Sequence, residues 1–362
     1  METMIFQDRL KGYHLVSLAK HLKMPTRHET AYVMGIPPVT WYSYANSKSN
    51  KDGEPAKSLQ PIDRASICIL TRFGFTFPDR IQRTFYPDAK TLFKKLQDKA
   101  PESSYNDLAR LLGREISAGH RWLTQGNSFD GTTRRLALHL NDFLNEDRLS
   151  DWQKLVHKEV KLRNAVGAKS LALPNPDKPL SMSKISRNSI NRRLLVVGDI
   201  DVIRNSCDLE TQESLYHLGV SQRKWNDLRK MHPRMPIRDP SLSILLRLYF
   251  NHPEDLDAVR LPNVLIDDVF KELNNPDNNV SRSLHPDEVA LLLGFTPACV
   301  QRWRLDTSVH NKVVNYSPLQ RRLIAHFHQE IKAGRFNDWY RVVMVEAKTR
   351  GIDNLWENGW SE

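Results

Sequence analysis

The chain has 362 residues, and its 53 Lys and Arg residues outnumber its 42 Asp and Glu residues, which gives a formal net charge of +11. Its 40% hydrophobic and 26% charged residues are typical of a globular protein and exclude a wholly disordered chain. No apolar run is long enough to span a membrane, and the N-terminal sequence lacks the pattern of a secretory signal. We therefore expect a multidomain cytoplasmic protein with a polyanionic partner.

The first predicted helix pair lies in segment A1, residues 11–86. The sequence ETAYVMG at 29–35 ends in a glycine, a residue that terminates helices where a positive φ is needed. Pro38 suits the first turn of a following helix. Trp41 comes six residues after the glycine, and we expect it to pack in the core.

The second predicted pair lies in segment B1, residues 87–164. The sequence DLARLLG at 107–113 again ends in glycine, and an Arg-Trp pair follows at 121–122. Arg114 and Gly119 stand at positions where such turns usually carry apolar residues. We therefore expect the second helix of this pair to be shifted or weaker than its counterparts.

A Ser-, Asn- and Pro-rich stretch, residues 165–197, comes next and has no periodic apolar pattern, so it is interpreted as a linker. Nine Lys and Arg residues fall between 158 and 193, against Glu159 and Asp177. A solvated tether and a basic strap lying on nucleic acid are both compatible with this composition.

The remaining chain repeats what precedes it. Segment A2, residues 198–260, contains ESLYHLG at 213–219, and segment B2, residues 261–351, contains EVALLLG at 288–294. Tryptophans follow both glycines at the same distances as in A1 and B1. The offset between matched positions is 184 residues for the A segments (213 minus 29) and 181 for the B segments (288 minus 107). We conclude that the chain is an A–B, A–B duplication.

A third matched pair of sequences ends each repeat. Residues 151–163 and 338–350 both fit D-W-x-x-[LV]-V-x-x-E-[VA]-K-x-R, at an offset of 187 residues. Their apolar residues recur at the spacing of one helical face, which predicts two amphipathic helices. We call them the Asp-Trp helices. They either dock on their own domains or pair with one another, as a homodimer or as a pseudo-dimer within one chain.

The turn in B2 resembles that of the Cro/C1-type helix-turn-helix family. Ala290, Gly294, the apolar and hydroxyl residues Phe295-Thr296, Val300 and Trp303 occupy the positions of the pattern A-x-x-x-G-[apolar]-[ST]-x-x-x-[apolar]-x-x-W. The resemblance covers about 25 residues in each segment. It implies an all-α fold with four helix-turn-helix domains in tandem A–B pairs, each pair followed by an Asp-Trp helix.

In that family the second helix enters the major groove of DNA. The residues expected to face the DNA lie on this helix or at its start, because Gln and Asn pair with adenine and Arg with guanine. They are Thr40, Tyr42, Ser43, Ser117, His120, Arg121, Ser221, Gln222, Arg223, Lys224, Asn226, Arg229, Thr296, Gln301 and Arg302. Those of A1 carry no positive charge, so a purely structural role for A1 is left open.

Enzyme chemistry finds little support in the sequence. No phosphate-binding loop, nucleophile elbow or HExxH motif occurs. Cys68, Cys207 and Cys299 are odd in number, far apart and not in CxxC spacing, which argues against a structural zinc site and a disulfide framework. His326 and His328 lie on different faces of one predicted helix. We expect no catalytic residue, metal or cofactor.

The resulting expectation is a nucleoid-associated cytoplasmic protein that binds double-stranded DNA at an extended, imperfectly repeated site and regulates transcription. Three alternatives stay open: a protein that binds an origin or transfer site of a plasmid or other mobile element, a recombinase or nuclease, and a protein-interaction scaffold.

Overall fold

The computed structural model describes residues 8–24, 27–45, 57–81, 85–165, 178–180, 185–257, 264–278, 280–308 and 316–360. In these ranges the chain is helical, and its only extended pairings are two isolated bridges, Lys11–Pro61 and Val196–Pro236. The all-α class predicted from the sequence is confirmed.

The described helices of the first repeat follow the predicted segments. A1 contains α1 (Gly12–His21), α2 (Arg27–Val33), α3 (Pro38–Ala45) and α4 (Ala65–Thr76). B1 contains α5 (Ala89–Lys99), α6 (Tyr105–Leu111), α7 (Ile116–Leu123), α8 (Gly131–Asn145) and α9 (Leu149–Ala165).

The second repeat has the same order of helices, with an additional short helix at the end of A2 and another at the C-terminal end. A2 contains α10 (Val197–Ser206), α11 (Thr211–His217), α12 (Gln222–Lys230), α13 (Pro240–Asn251) and α14 (Glu254–Asp257). B2 contains α15 (Ile266–Leu273), α16 (Pro286–Leu292), α17 (Pro297–Ser308), α18 (Pro318–Lys332) and α19 (Phe336–Thr349), and α20 (Leu355–Asn358) follows it.

The chain divides into two compact units, and each combines segments from different repeats. Unit 1 consists of Met1–Arg83 with Leu261–Glu362, so it joins A1 to B2. Unit 2 consists of Thr84–Arg260, so it joins B1 to A2. The divisions fall after Arg83 and after Arg260. The grouping differs from the A–B tandem that the duplication suggested, because each A segment packs on the B segment of the other repeat.

Unit 1 is built around α4. This helix, ASICILTRFGFT, is apolar on nearly all sides, and every residue in it except Phe75 is buried. A helix with that composition needs partners on all faces. It finds them in α1, α18 and α19, and the Phe73 ring lies 5.0 Å from the ring of Trp339 on α19.

Unit 2 has the matching architecture around α13, whose sequence is PSLSILLRLYFN. Its partners are α8, α9 and α10, and Tyr249 donates a hydrogen bond to the carbonyl of His217 at 3.0 Å. The two Asp-Trp helices, α9 and α19, therefore bury their apolar faces inside their own units. Trp152 and Trp339 are both fully buried.

The end of the predicted linker belongs to unit 2. Ile190, Leu194 and Leu195 are buried, and Arg247 donates to the carbonyl of Arg193 at 2.7 Å. This corrects the interpretation of 185–197 as a tether, because five aliphatic residues there, Val196 and Val197 included, are buried. Residues 166–177 and 181–184 of the predicted linker lie outside the described residues.

Two cations of the predicted basic strap are used in ion pairs. Arg163 is fully buried beside Glu159, and Arg193 pairs with Asp199 at 2.7 Å. Their charges are neutralised inside unit 2, so they are not available to a phosphate backbone.

Candidate nucleic-acid interface

Four helix pairs share one turn geometry. Each turn contains a glycine in the left-handed region, with φ of 63° at Gly35, 67° at Gly113, 61° at Gly219 and 74° at Gly294. After each glycine the next backbone N–H returns to a carbonyl five residues earlier, as in Ile36 to Ala31 at 2.8 Å and Phe295 to Ala290 at 2.9 Å. This bond pattern closes the first helix of each pair and redirects the chain.

The second helix of every pair starts three residues after its glycine, at positions 38, 116, 222 and 297. The prediction that the helix in B1 would be shifted was therefore wrong. Arg114 replaces the apolar residue after the turn and pairs with Asp130 at 2.6 Å. Gly119 is required because α6 and α7 lie close together: a Cβ there would stand 2.0 Å from the carbonyl oxygen of Tyr105.

Each pair is anchored by the tryptophan that follows its turn. Trp41, Trp122, Trp225 and Trp303 are at most 8% exposed, which confirms their predicted place in the core. The Trp122 ring meets Phe129 edge-on at 4.9 Å. In the B segments, where the tryptophan is fixed inward, the residue one position before it, Arg121 or Arg302, is exposed.

The exposed faces of α7 and α17 carry the predicted residues of B1 and B2. Ser117, His120 and Arg121 are exposed on α7, and Gln301 and Arg302 are exposed on α17, with Thr296 exposed just before it. Gln301 donates to the carboxylate of Asp287 at 2.6 Å. The side chains of Arg121 and Arg302 make no hydrogen bond or ion pair with any described residue.

The face of α12 in A2 is more strongly basic. Arg223, Asn226 and Arg229 are exposed, and Gln222 is half-buried and donates to Asn226 at 3.0 Å. Arg223, like the two arginines of the B segments, has no side-chain partner in the part of the chain that the structure describes.

Two predicted residues of A2 stabilise the protein itself. The hydroxyl of Ser221 accepts a hydrogen bond from the backbone N–H of Lys224 at 3.2 Å and so caps α12. The Lys224 ammonium pairs with Asp239 at 2.7 Å. Because this charge is neutralised, Lys224 is a weaker candidate for contact with a ligand than its neighbours on α12.

The A1 face differs from the other three. Tyr42 is 50% exposed, whereas Thr40 and Ser43 are half-buried and hydrogen-bonded to each other, Ser43 Oγ donating to the Thr40 carbonyl at 2.8 Å. No described residue of α3 carries a charge. A structural role for A1 therefore remains open.

Exposed apolar residues on the B faces were not predicted from the sequence. Ile116 is 46% exposed at the start of α7, Tyr105 is 41% exposed at the start of α6, and Leu305 is 54% exposed on α17. Ile116 and Leu305 interrupt the polar pattern expected of such a face, and this interruption could have predicted exposed apolar residues there. Apolar side chains at these positions suit thymine methyl groups.

In each unit, the turn of each segment's helix pair contacts the start of a long helix of the other segment. A Cβ on Gly219 of A2 would lie 2.2 Å from the Gly131 carbonyl oxygen at the start of α8. One on Gly113 of B1 would lie 2.9 Å from the backbone nitrogen of Ser241 at the start of α13. In unit 1, Gly35 and Gly294 approach Leu319 and Ser66 in the same way. Such reciprocal contacts are those of a local twofold relationship.

We call the contact between B1 and A2 the junction of unit 2. A cluster of charged side chains lies at this junction. Asp239 accepts hydrogen bonds from the N–H groups of Ser241 and Leu242, caps α13, and pairs with both Arg114 and Lys224. Burial by itself would raise the pKa of Asp239, but Arg114 and Lys224 outweigh it, and the pKa is lowered. The carboxylate is therefore ionised across the physiological range.

The histidines and cysteines that the structure describes do not come together as a group of possible metal ligands. His326 is 1% exposed and burial lowers its pKa to about 3, whereas His328 lies elsewhere on α18. Among the described residues no group of three or more His, Cys, Asp or Glu side chains converges on one point. Cys68 and Cys207 are buried and Cys299 is half-buried; all three are free thiols.

Comparisons with known proteins add no identification: no family profile, no curated protein and no solved structure matches the chain. Within the described residues, no helix combines the length and apolar character that crossing a membrane requires.

Proposed function

We propose that this chain is a sequence-specific, double-stranded DNA-binding protein that reads the major groove with the second helices of its helix pairs. The observation that carries the proposal is that Arg121 and Arg302 expose side chains that form no hydrogen bond or ion pair with any other described residue. Both lie eight residues after their turn glycine, both are exposed, and neither side chain has a partner among the described residues. Arginine in this position suits a bidentate contact to guanine or a phosphate contact.

Three further features support the proposal. The chain carries a net charge of +11, and α12 presents Arg223 and Arg229 beside Asn226, a residue that pairs with adenine. Because the four turns have the same backbone geometry, each second helix starts at the same position relative to the first helix of its pair. Transcriptional control is the use we propose, by analogy with the helix-turn-helix family.

The reciprocal junction suggests how the site on DNA is organised. Two helix pairs related by a local twofold would read two half-sites in inverted orientation. Because A and B faces differ in sequence, the two half-sites would differ as well. We therefore propose a site that consists of imperfect inverted repeats, one for each unit.

The decisive experiment is selection of bound sequences from random double-stranded DNA, followed by binding measurements on the selected motif. We expect the triple variant Arg121→Ala, Arg223→Ala, Arg302→Ala to lose at least a hundredfold in affinity while it keeps the wild-type melting temperature. Arg341 and Lys154 are 56% and 75% exposed in their side chains and lie on Asp-Trp helices. Their replacement by alanine is the matched control and leaves affinity unchanged.

The same experiment separates the alternatives. Failure to enrich any motif contradicts sequence-specific binding and favours a scaffold. Cleavage of the selected DNA in the presence of Mg²⁺, or a covalent protein–DNA product, indicates a nuclease or recombinase. Mapping the enriched motif to promoters supports a regulator, whereas mapping it to a replication origin or transfer site supports the mobile-element alternative.

A further inference from the structure

In three of the four helix pairs, the side chain seven residues after the turn glycine is held by a hydrogen bond within the protein. These residues are His120 in B1, Asn226 in A2 and Gln301 in B2, and all three are exposed. Each bond therefore orders a side chain that has little packing to fix it. In A1 the position is Tyr42, which forms no hydrogen bond with any described residue.

The bonding partner differs from segment to segment. Asn226 accepts a hydrogen bond from the Gln222 amide, one turn earlier on α12, at 3.0 Å. Gln301 donates to the carboxylate of Asp287 on α16, the first helix of its pair, at 2.6 Å. Because these partners do not occupy equivalent positions in the duplication, the shared feature is the position that is held and not the residue that holds it.

The bond in B1 fixes the tautomer of His120 as well as its position. The hydroxyl of Thr124, just after α7, donates its only proton to the His120 carbonyl at 2.5 Å, and its oxygen lies 3.1 Å from the ring Nδ1. Nδ1 must therefore donate to that oxygen, which leaves Nε2 of the neutral ring as a free acceptor. An acceptor at this position matches the amino group of adenine or cytosine.

Asp287 is the partner that most requires an explanation, because a carboxylate repels the phosphate backbone of DNA. Its side chain is 38% exposed and lies 3.3 Å from the ring of His285. The neighbouring Glu288 pairs with Arg282, whereas Asp287 forms no ion pair with a described Arg or Lys. The first turn of α16 favours an acid through its backbone dipole, and the bond to Gln301 gives this acid a second role.

The bond to Asp287 determines which groups Gln301 presents outward. The carboxylate uses one N–H of the amide, so Oε1 and the second N–H bond to no described residue. An acceptor beside a donor matches the major-groove edge of adenine, which offers its N6 amino group next to N7. The same accounting in A2 leaves Oε1 of Gln222 beside the N–H groups of Asn226. Side chains held in this way lose little freedom on binding.

We propose that the side chain seven residues after the turn glycine determines base preference in B1, A2 and B2, and that its partner within the protein positions it for that role. In B2, Gln301 reads an adenine and Asp287 is its positioning residue. This inference rests on the proposed DNA-binding function. It adds the base that one helix recognises and the residue that sets the preference.

The test repeats the selection from random double-stranded DNA with full-length variants. Asp287→Ala leaves Gln301 without its partner, and we expect the preference for one adenine of the motif to fall about tenfold. Binding to unrelated DNA should stay equal or become tighter, because a negative charge is removed near the phosphates. A merely structural role of Asp287 would instead weaken binding to all sequences alike. Asp287→Asn should keep the preference, since its amide oxygen can accept the same hydrogen bond.

Two further variants complete the comparison. Gln301→Ala should lose the preference at the same base pair as Asp287→Ala, and the double variant should lose no more than Gln301→Ala alone. Asp151→Ala is the matched control, because it removes an acid from the first turn of α9 and should leave the motif unchanged. An unchanged preference in Asp287→Ala, or losses at different base pairs, would overturn this inference and leave DNA binding intact. A wild-type chain that enriches no motif would contradict DNA binding itself, and the inference with it.

A modified base identifies the group that Gln301 reads. Purine in place of the preferred adenine lacks the 6-amino group, and it should weaken binding of the wild-type chain about fivefold. The same replacement should leave the affinity of Gln301→Ala unchanged. An equal loss in both proteins would assign that adenine to another residue and overturn the role of Gln301.

Discussion

Arg247 and Glu159 belong to different repeats, yet the guanidinium Nε of Arg247 donates to the Glu159 carboxylate at 2.8 Å in the core of unit 2. Arg163 binds the other oxygen of that carboxylate at 2.9 Å, and all three side chains are fully buried. Unit 1 repeats the cluster, with Glu346 between Arg72 and Arg350. The Glu and Arg of the Asp-Trp motif therefore join one repeat to the other.

Loss of the Glu159 carboxylate should strongly destabilise the folded protein. In the variant Glu159→Gln, two buried guanidinium groups lose their counter-charge, and we expect the free energy of unfolding to fall by about 3–5 kcal/mol. Urea denaturation followed by circular dichroism measures the change. Asp151→Asn on the same helix is the control, because its exposed carboxylate pairs only with surface cations. A loss no larger than that of the control would contradict a structural role for the cluster.

The packing of each A segment on the B segment of the other repeat predicts that cleavage between the repeats will not separate them. A protease site inserted between residues 166 and 177 divides the chain into A1–B1 and A2–B2. Because A1 packs on B2 and B1 packs on A2, we expect the two fragments to elute together in size-exclusion chromatography and to separate only in denaturant. Fragments that separate under native conditions would show that each repeat folds by itself.

Much of this architecture was predictable from the sequence. Glycines 113 and 294, and the tryptophans that follow them, predicted the positions of the helix pairs in B1 and B2 correctly. The exchange was not predictable, because most of the residues that join A to B are the same in both copies. Arg135 stacks over Tyr216 in unit 2 at 3.6 Å, and Arg322 stacks over Tyr32 in unit 1 at 4.6 Å. Such a repeated pattern fits either pairing of segments.

One contact that differs between the copies does favour the exchange. Arg114 of B1 lies 3.3 Å from Asp239 of A2, the residue just before α13. The equivalent residue in A1, just before α4, is Arg64. Pairing of B1 with A1 would therefore bring two arginines together. Like charges at a partly buried junction are unfavourable, and this difference helps to choose the partner. The signal is visible in the sequence only once the junction is known.

The contribution of that contact can be measured with a double-mutant cycle. Arg114→Gln and Asp239→Asn remove the charges, and asparagine still caps α13. We expect a coupling energy of about 1–2 kcal/mol between the two substitutions, as found for neighbours in one charged network. Additive effects on the free energy of unfolding would show that Arg114 and Asp239 do not stabilise the junction through each other.

Acid should destabilise the protein through its buried histidines. Burial, assisted by the Arg322 charge, lowers the pKa of His326 to about 3 from its ordinary 6.5. The unfolded chain therefore takes up a proton first as the pH falls, and stability is lost between about pH 6.5 and pH 3. The His326→Leu variant should lose roughly 2 kcal/mol less than the wild type between pH 7 and pH 4.5.

Unfolding experiments at several pH values test this expectation. His326 suits the substitution because its Nε2 atom is buried and has no hydrogen-bond partner among the described residues, so leucine removes no hydrogen bond at that atom. His120→Gln, at an exposed position on α7, should keep the wild-type pH profile. An unchanged acid sensitivity in His326→Leu would assign the acid lability to other groups.

The DNA-binding proposal predicts different roles for two arginines on α12. Arg223 lies at the exposed start of the helix, the part that reaches base edges. Arg229 lies near its end, 53% exposed and 3.9 Å from Asp201, where a phosphate is the expected partner. Arg223→Ala should cost about 1–3 kcal/mol on the preferred site and relax the preference at one or two base pairs. Arg229→Ala should weaken binding to all sequences alike.

Salt dependence distinguishes the two roles. Each phosphate contact contributes about −0.9 to the slope of log K against log salt concentration, so Arg229→Ala should reduce the magnitude of that slope by about 1. Arg223→Ala should shift sequence preference in a repeated selection experiment, an effect that salt titration does not report. If both variants changed only the slope, α12 would contact the backbone without reading bases, and specificity would have to come from α7 and α17.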